Sequence, residues 1–278
     1  MKLARGLWLA VTLTILASPV ALVVINSFNS SPFSQFPPAG FSLDWYVRVL
    51  NYAPFLTAFV YSVALGIGAS AVATVAGVMA SIALTRYGFR GRSALATFFS
   101  APLIAPRAAI GLSGYVLFVV AAAHIGGISV TADPLPLVLV HALFGLPLVV
   151  VIVSASLVRY DRALDEAARD LGANNLAVFR RITFPLLRGS IVIAAALAFV
   201  TSFDETEASL FFASVSGTTL PIAMFNFLEQ DQTPTIAALS TLMLAATALS
   251  LGIALVFGST RSAARTVALP VVTPPKGP

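Results

Sequence analysis

Six long stretches of this chain carry almost no charge, and their lengths constrain its fold more than any other feature. A helix needs about 20 apolar residues to cross the hydrocarbon core of a bilayer. The stretches cover residues 7–26, 55–84, 93–123, 136–158, 189–203 (resuming at 208–215) and 236–257. Because 58% of the 278 residues are hydrophobic and 10% are charged, no soluble domain is expected. The sequence predicts an all-α polytopic membrane protein with six transmembrane helices.

The stretches are predicted to form one domain, residues 7–257, between a short leader, 1–6, and a polar tail, 258–278. The first stretch could be a secretory signal, but it is longer than the apolar core of such signals, so we expect a retained span. Residues 43–50 predict a short amphipathic helix on the membrane surface. In the second stretch, small residues lie on nearly one helical face, which favours close helix contact. They are Gly66, Ala69, Ala73 and Gly77.

Basic residues mark one side of the predicted protein. Of the 16 Lys and Arg, 14 lie in the leader, the tail and the segments 86–92 and 159–188. Six spans place these four segments on one side, and an excess of Lys and Arg marks the cytoplasmic side. Both termini are therefore predicted to be cytoplasmic. Because the basic residues lie beside spans and form no patch interleaved with aromatic residues, no nucleic-acid partner is expected.

A charged loop, residues 159–188, separates the fourth and fifth stretches and predicts two short helices. Apolar residues spaced at i, i+3, i+4 and i+7 share one face of the first helix. They are Leu164, Ala167, Ala168 and Leu171. Asp161 is the expected N-cap, and Asp165 and Glu166 lie near the positive end of the helix. Gly172 stands where a left-handed C-terminal cap needs a residue without Cβ.

The second helix is predicted over residues 176–184. Asn174 or Asn175 is its expected cap, and Pro185 ends or bends it, because proline lacks a backbone donor and crowds the preceding turn. A solvated loop without any partner is the alternative interpretation of the whole segment.

The same loop holds a spaced motif. It reads Glu166-Ala167-Ala168, three residues, Gly172, nine residues, Ile182, one residue, and Phe184-Pro185. The spacing resembles the EAA loop of the inner-membrane permease subunits of binding-protein-dependent ABC importers, with Phe184 where Leu is usual. The resemblance implies a type I importer permease, with a coupling helix between spans 4 and 5 that docks in a groove of a cytoplasmic ATPase. The residues that it assigns to this coupling are Glu166, Ala167, Ala168, Leu171 and Gly172.

The resemblance also implies the partners. An importer of this family has two permease chains, two cytoplasmic ATPase subunits and an extracytoplasmic substrate-binding protein, in the bacterial inner membrane. The second permease chain is expected to be a paralogue. This chain lacks the P-loop pattern of a Gly, four residues, then Gly-Lys and Ser or Thr, so ATP and Mg are expected on the ATPase. We expect no catalytic residue, metal or cofactor in this chain, whose sequence holds no cysteine.

Acidic residues interrupt the fifth stretch. Asp204 lies about 22 Å along a helix from Gly189, which puts it in the outer half of the bilayer, with Glu205 and Glu207 beside it. Acids at that depth are costly unless they line a wet cavity or meet cations, so these three are candidates for a substrate path. The alternative is that the span ends at Phe203 and the acids lie in an outer loop.

The third stretch contains two prolines and one arginine. Pro102 and Pro106 are expected to kink the span 93–123, because each frees backbone groups that neighbouring helices or water must satisfy. Arg107 is the one basic residue within an apolar stretch. A deep position favours a functional role for its guanidinium, and a shallow position lets the side chain reach the membrane surface.

A second resemblance concerns the solute. The segments that carry it are Ser202-Phe203-Asp204-Glu205, Leu210-Phe211, Thr218-Thr219-Leu220-Pro221, 234–241 and, near the first span, 30–46. They are similar in order and spacing to the spermidine/putrescine branch of these permeases, which implies a cationic polyamine as substrate. Related branches that carry ferric iron, thiamine or amino-acid-like compounds have similar segments, so these solutes are the alternatives.

Two other classes of protein stay open on the sequence alone. A secondary transporter driven by an ion gradient predicts paired broken helices in an internal repeat, and no clear repeat is found. An intramembrane hydrolase predicts a catalytic dyad, for which Gly111-Leu112-Ser113-Gly114 only partly imitates a nucleophile turn. His124 and His141 favour ordinary polar contacts over metal ligation.

Overall fold

The structure is a computed structural model that describes residues 2–125, 130, 133–213, 217–231 and 233–259. Most of the predicted tail, with three of the basic residues used to predict orientation, lies outside this part of the chain. The long elements of the described part are helices, and Asn29 and Phe41 form an isolated antiparallel bridge. Its α-helices are α1 Lys2–Asn26, α2 Asp44–Asn51, α3 Ala53–Arg86, α4 Arg92–Ser100, α5 Arg107–Ile125, α6 Leu135–Val158, α7 Ala163–Asp170, α8 Asn175–Val178, α9 Phe184–Phe203, α10 Leu220–Gln230 and α11 Thr235–Ser259.

Among the described residues, six helical segments are long and apolar enough to cross a membrane. They are α1, α3, α5, α6, the continuous segment Asn175–Phe203, and α11. The predicted all-α fold with six spans is therefore confirmed.

The centre of the bundle is formed by α3, α6 and α9, which pack closely because small residues face one another. The predicted small-residue face of α3 is buried along its length. On α6, a Cβ added to Gly145 would lie 2.7 Å from the Cβ of Ala198 and 3.2 Å from that of Ala73. This glycine lets three backbones approach one another at the same level, which is the close contact that small residues permit in membranes.

The predicted bounds of the third span, residues 93–123 with kinks at its prolines, are wrong. α4 is followed by a turn of 3-10 helix, Ala101–Leu103, and α5 begins only at Arg107. Pro102 and Pro106 both lack a backbone donor, and two such residues one turn apart interrupt the helical hydrogen bonds rather than only bending them. The membrane-length part of this stretch is α5 alone.

Pro185 was expected to end or bend the second loop helix, and it does not end it. A π-helical turn, Phe179–Thr183, follows α8, and Pro185 occupies the first turn of α9. At that position the missing N–H has no partner to lose, so the proline is tolerated. The chain consequently stays helical from Asn175 to Phe203.

The polar segment after α1 is held by hydrogen bonds to α2, the helix predicted at residues 43–50. The indole N–H of Trp45 donates to the carbonyl oxygen of Asn29 at 2.6 Å, and the hydroxyls of Tyr46 and Ser27 are 2.7 Å apart. Arg48 also reaches the loop before α11, where its guanidinium lies 2.7 Å from the carboxylate of Asp231. The helix is therefore fastened to its neighbours at several points.

Candidate functional sites

The predicted turn at the end of α7 is confirmed. Gly172 has a φ of +86°, in the left-handed region that glycine adopts without strain. Its N–H donates to the carbonyl oxygen of Arg169 at 2.8 Å, and the N–H of Ala173 donates to that of Ala168 at 3.0 Å. These two bonds form a Schellman cap, which satisfies carbonyl groups that the end of a helix leaves free.

The side chains of α7 assigned to ATPase coupling point largely away from the rest of the described chain. Leu171 is 90% exposed. Glu166 and Ala167 are exposed as well, and Ala168 is half-buried. Leu164, on the same face, is 44% exposed. The chain therefore presents a short helix with uncovered apolar side chains at its surface.

The caps of the loop helices follow the prediction in part. Asp161 accepts a hydrogen bond from the N–H of Ala163 at 3.0 Å, although the cap position itself is Arg162. Of the two asparagines considered for the next helix, Asn174 is the cap, and its side-chain oxygen accepts from the N–H of Ala177 at 2.8 Å. These contacts fix where α7 and α8 begin.

Asp165 lies in the first turn of α7, as predicted, but it is only 1% exposed. Its carboxylate forms an ion pair with the guanidinium of Arg86, at the end of α3. It also accepts hydrogen bonds from the hydroxyls of Tyr160 at 2.5 Å and Thr183 at 3.4 Å. The sequence held one signal for this cluster, since Arg86 and Asp165 were predicted on the same side of the membrane, but the pairing itself depends on the packing.

A second contact joins this loop to α3. The guanidinium of Arg162 donates to the carbonyl oxygen of Thr85 at 2.7 Å, in the last turn of the helix. A cation there satisfies a free carbonyl and interacts favourably with the negative end of the helix. The ring of Tyr160 lies under the Arg86 guanidinium, 4.7 Å from ring centroid to Cζ.

The acids after α9 occupy three different environments. The helix ends at Phe203, as the outer-loop alternative supposed. Asp204 and Glu207 are exposed, whereas Glu205 is 1% exposed, so the segment is not a freely solvated loop. The carboxylate of Glu207 accepts from the backbone N–H of Ala108 at 3.3 Å, at the start of α5.

The buried carboxylate of Glu205 is fully engaged within the chain. Its Oε2 atom lies 2.6 Å from Nη1 of Arg107, and its Oε1 atom accepts from the N–H of Ala208 at 2.9 Å. The guanidinium of Arg107 also lies over the ring of Phe144, 5.5 Å from its centroid, while its side chain stays 45% exposed. Arg107 therefore balances a buried acid and keeps contact with the surroundings.

A buried histidine holds the same loop from the side of α6. His141 places Nδ1 2.8 Å from the hydroxyl of Ser202 and Nε2 3.0 Å from that of Ser209. Both ring nitrogens are thus used in ordinary polar contacts, as predicted. His124 likewise contacts a backbone carbonyl, that of Val120, at 2.8 Å.

An all-α bundle of membrane-length helices, with a capped surface helix between the fourth and fifth of them, defines a polytopic membrane protein. Residues 73–265 match the family described as the binding-protein-dependent transport system inner membrane component. The chain belongs to that family, and it is a permease subunit of an ABC importer in the inner membrane.

Relatives of similar length support this assignment over most of the chain. The putrescine transport system permease protein PotI of Escherichia coli is 36% identical over 251 residues, which are 88% of this chain and 89% of that protein. The spermidine/putrescine transport system permease protein PotC of Haemophilus influenzae is 32% identical over 240 residues, 86% of this chain and 90% of that protein.

Solved structures show the same fold at low sequence identity. A chain from the crystal structure of a bacterial ABC transporter that imports alginate superposes with a TM-score of 0.67 and 14% identity, covering 91% of this chain and 94% of that chain. A chain from the MetNI methionine ABC transporter, in an inward-facing conformation, gives a TM-score of 0.54 and 17% identity. The match covers 74% of this chain and 93% of that chain.

Proposed function

We propose that this permease imports a polyamine such as putrescine or spermidine. The observation that carries this choice is its similarity, over most of both chains, to two relatives named for those solutes. The exposed carboxylates of Asp204 and Glu207 support it, because a cationic solute needs acidic groups along its path. The alternative solutes, from which a polyamine must be distinguished by experiment, are ferric iron, thiamine and amino-acid-like compounds.

The proposed assembly has two permease chains, this one and a paralogue, with two ATPase subunits that bind ATP and Mg and a binding protein outside. Both termini and α7 lie on the cytoplasmic side, an orientation that the excess of basic residues supports. The exposed face of α7, with Leu164 and Leu171 uncovered, docks in a groove of the ATPase. The permease contributes no covalent chemistry.

Transport follows from movement of the docked helix. When ATP draws the two ATPase subunits together, each coupling helix moves with its subunit, and the spans tilt between inward-open and outward-open arrangements. Asp204 and Glu207 face the surroundings at the far end of α9, so a solute released outside meets their carboxylates first. Glu205 contributes indirectly by holding this segment in place, since its own carboxylate is occupied by Arg107 and the N–H of Ala208.

The decisive experiment reconstitutes the complex in vesicles with its binding protein and measures ATP hydrolysis with each solute in turn. Putrescine or spermidine is expected to stimulate hydrolysis and to accumulate inside the vesicles. Stimulation by ferric iron, thiamine or an amino acid instead would exclude the polyamine proposal while preserving the permease assignment. Unchanged polyamine uptake in both Asp204→Asn and Glu207→Gln would remove the proposed path.

A further inference from the structure

Asp165 is the point at which α7 is attached to the rest of the permease. All eight residues of α7 are described, and Asp165 alone among them is buried. Its neighbour Glu166 is exposed on the surface proposed to meet the ATPase. The helix is therefore free on the side that faces a partner and held on the other side by the Asp165 carboxylate, with Arg162 contacting α3 at its start.

That carboxylate contacts side chains from three different parts of the fold. Arg86 is the last residue of α3, Tyr160 follows the end of α6, and Thr183 closes the π-helical turn that leads into α9. These are the ends of the three helices that form the centre of the bundle. A displacement of α7 can thus reach α3, α6 and α9 through the carboxylate of Asp165.

The central helices are packed tightly enough to transmit such a displacement. Ala73 of α3 and Ala194 and Ala198 of α9 belong to one buried cluster with α6 residues. Close-packed interiors respond to a push at one end by moving as a body, because little free volume is available to absorb it. A movement applied to Arg86 therefore carries α3 and its packed neighbours.

Stability alone gives a weak reason to bury this pair. Removing two charges from water is costly, and replacing a buried ion pair by apolar residues is often neutral or stabilising. A short surface helix could be held as well by one apolar contact. An ion pair differs from an apolar contact in fixing direction, because the planar guanidinium fork restricts where the carboxylate can lie.

We propose that Asp165 is a positioning residue that transmits the movement of α7 to α3 through Arg86 and to α9 through Thr183. The inference rests on the proposed docking of α7 on the ATPase and adds the route by which force leaves that helix. Asp165 itself touches neither the solute nor ATP in this role.

The test uses a double variant, Arg86→Met with Asp165→Asn, in the complete complex reconstituted with putrescine as the transported solute. The double variant leaves no unpaired buried charge, and the amide oxygen of the new asparagine still accepts hydrogen bonds from Tyr160 and Thr183, so folding should survive. The ATPase is expected to co-purify in normal amount and to hydrolyse ATP. The putrescine moved per ATP is expected to fall by about tenfold, within the range of typical coupling free energies.

Matched variants separate transmission from stability. Asp231→Asn removes another Arg–Asp pair, with Arg48, outside the coupling loop, and should leave the transport ratio unchanged. Arg86→Lys keeps the cation but lacks the planar fork, so its transport ratio should lie between those of the natural chain and the double variant. A normal ratio in the double variant would overturn the proposal. So would loss of the ATPase from its complex, because Asp165 would then only hold the helix in place.

Docking is measured independently of transmission. The natural chain has no cysteine, so Leu171→Cys introduces a single thiol at the exposed tip of the helix. A photoactivatable thiol reagent should then link position 171 to the ATPase, in both the natural background and the double variant. No link in either background would overturn the docking and the inference that rests on it. A link in both with a normal transport ratio would overturn the transmission role alone.

Discussion

The Nη1 atom of Arg107 lies 2.6 Å from the Oε2 atom of Glu205, although 98 positions separate the two residues in the chain. This ion pair joins the start of α5 to the segment that follows α9. Its two partners differ in environment, since the side chain of Glu205 is 1% exposed and that of Arg107 is 45% exposed. Removal of each partner should therefore have a different effect.

Arg107→Gln is expected to destabilise the permease more than Glu205→Gln. Loss of the arginine leaves a buried carboxylate without its cation, whereas loss of the acid leaves an arginine that can reach water. We expect about 2 to 3 kcal/mol of destabilisation for Arg107→Gln, at or below the lower end of values for broken buried pairs because Arg107 is partly exposed. Thermal unfolding of the purified complex in detergent measures both variants.

The double variant Arg107→Gln with Glu205→Gln is the control for that comparison. It leaves neither an unpaired buried charge nor an unbalanced arginine, so it should be more stable than Arg107→Gln alone. Equal unfolding temperatures for the two single variants would contradict the asymmetric environment of the pair.

Gly172→Val is expected to uncouple transport while the chain still inserts in the membrane. A valine at a φ of +86° costs about 1 to 2 kcal/mol, so the turn that ends α7 would change shape. Among the described residues, no atom beyond the two chain neighbours lies within 4 Å of an added Cβ, so strain in the backbone is the obstacle at this position. Gly172→Asn should be nearly normal, because asparagine tolerates this conformation. Solute-stimulated ATP hydrolysis and the amount of inserted chain are measured, and normal stimulation in the valine variant would count against the coupling role.

Gly111→Ala is expected to lower the unfolding temperature by disturbing the contact between α5 and Ala208, which follows the acids of residues 204–207. An added Cβ would lie 2.5 Å from Cα and 3.1 Å from the carbonyl oxygen of Ala208, and backbone atoms cannot move aside as a side chain can. Overpacking of this kind costs roughly 1 to 3 kcal/mol. Gly68→Ala is the control, because its Cβ would meet only the methyl groups of Val138 at 3.5 Å. Equal unfolding temperatures for the two variants would show that the backbone at Ala208 can move to accommodate the added methyl group, and would contradict the prediction.

The pair between Arg48 and Asp231 should make a small, pH-dependent contribution to stability. Burial alone would raise the pKa of Asp231, but hydrogen bonds from Thr233 and the nearby Arg48 guanidinium outweigh it and lower the pKa below its usual value. A carboxyl group with a lowered pKa in the folded state stabilises that state above its unfolded pKa, and the contribution is lost as the pH falls through the folded pKa.

The measurement for this pair is the unfolding temperature of the natural chain and of Asp231→Asn at neutral and acidic pH. The natural chain should be the more stable by less than about 1 kcal/mol at pH 7, as is usual for an exposed pair. The difference should shrink as the pH falls below the ordinary aspartate pKa of about 3.9 and vanish once the carboxyl group is protonated in the folded state. A difference that stays constant with pH would exclude an electrostatic origin.

The features that the sequence predicted correctly depend on local rules. Span number follows from apolar length, and the turn at Gly172 and the cap at Asn174 follow from backbone groups that a helix end leaves free. The small-residue face of α3 follows from helical periodicity. Each of these signals is complete within one segment, so no knowledge of its neighbours is needed.

The features that the sequence did not predict depend on segments far apart. The burial of Asp165 requires Arg86 from another helix, and nothing around position 165 distinguishes it from its exposed neighbour Glu166. The pairing of Arg107 with Glu205 likewise requires two loops to meet. At Pro185 a local rule failed, because a π-helical turn placed the proline where it is tolerated.

The chain is helical from Asn175 to Phe203, including one π-helical turn. This segment follows α7 at one end and leads into the acids of residues 204–207 at the other. Its 29 residues span about 43 Å, at 1.5 Å per residue. A helical segment of that length can act as a lever: a tilt of about 10° about its base would move its far end by roughly 7.5 Å, on the same rise per residue. The proline lies in the first turn of α9 and does not break this helical segment. On the proposed docking of α7, a modest rotation beside the ATPase would thus become a larger displacement at the acids beyond Phe203.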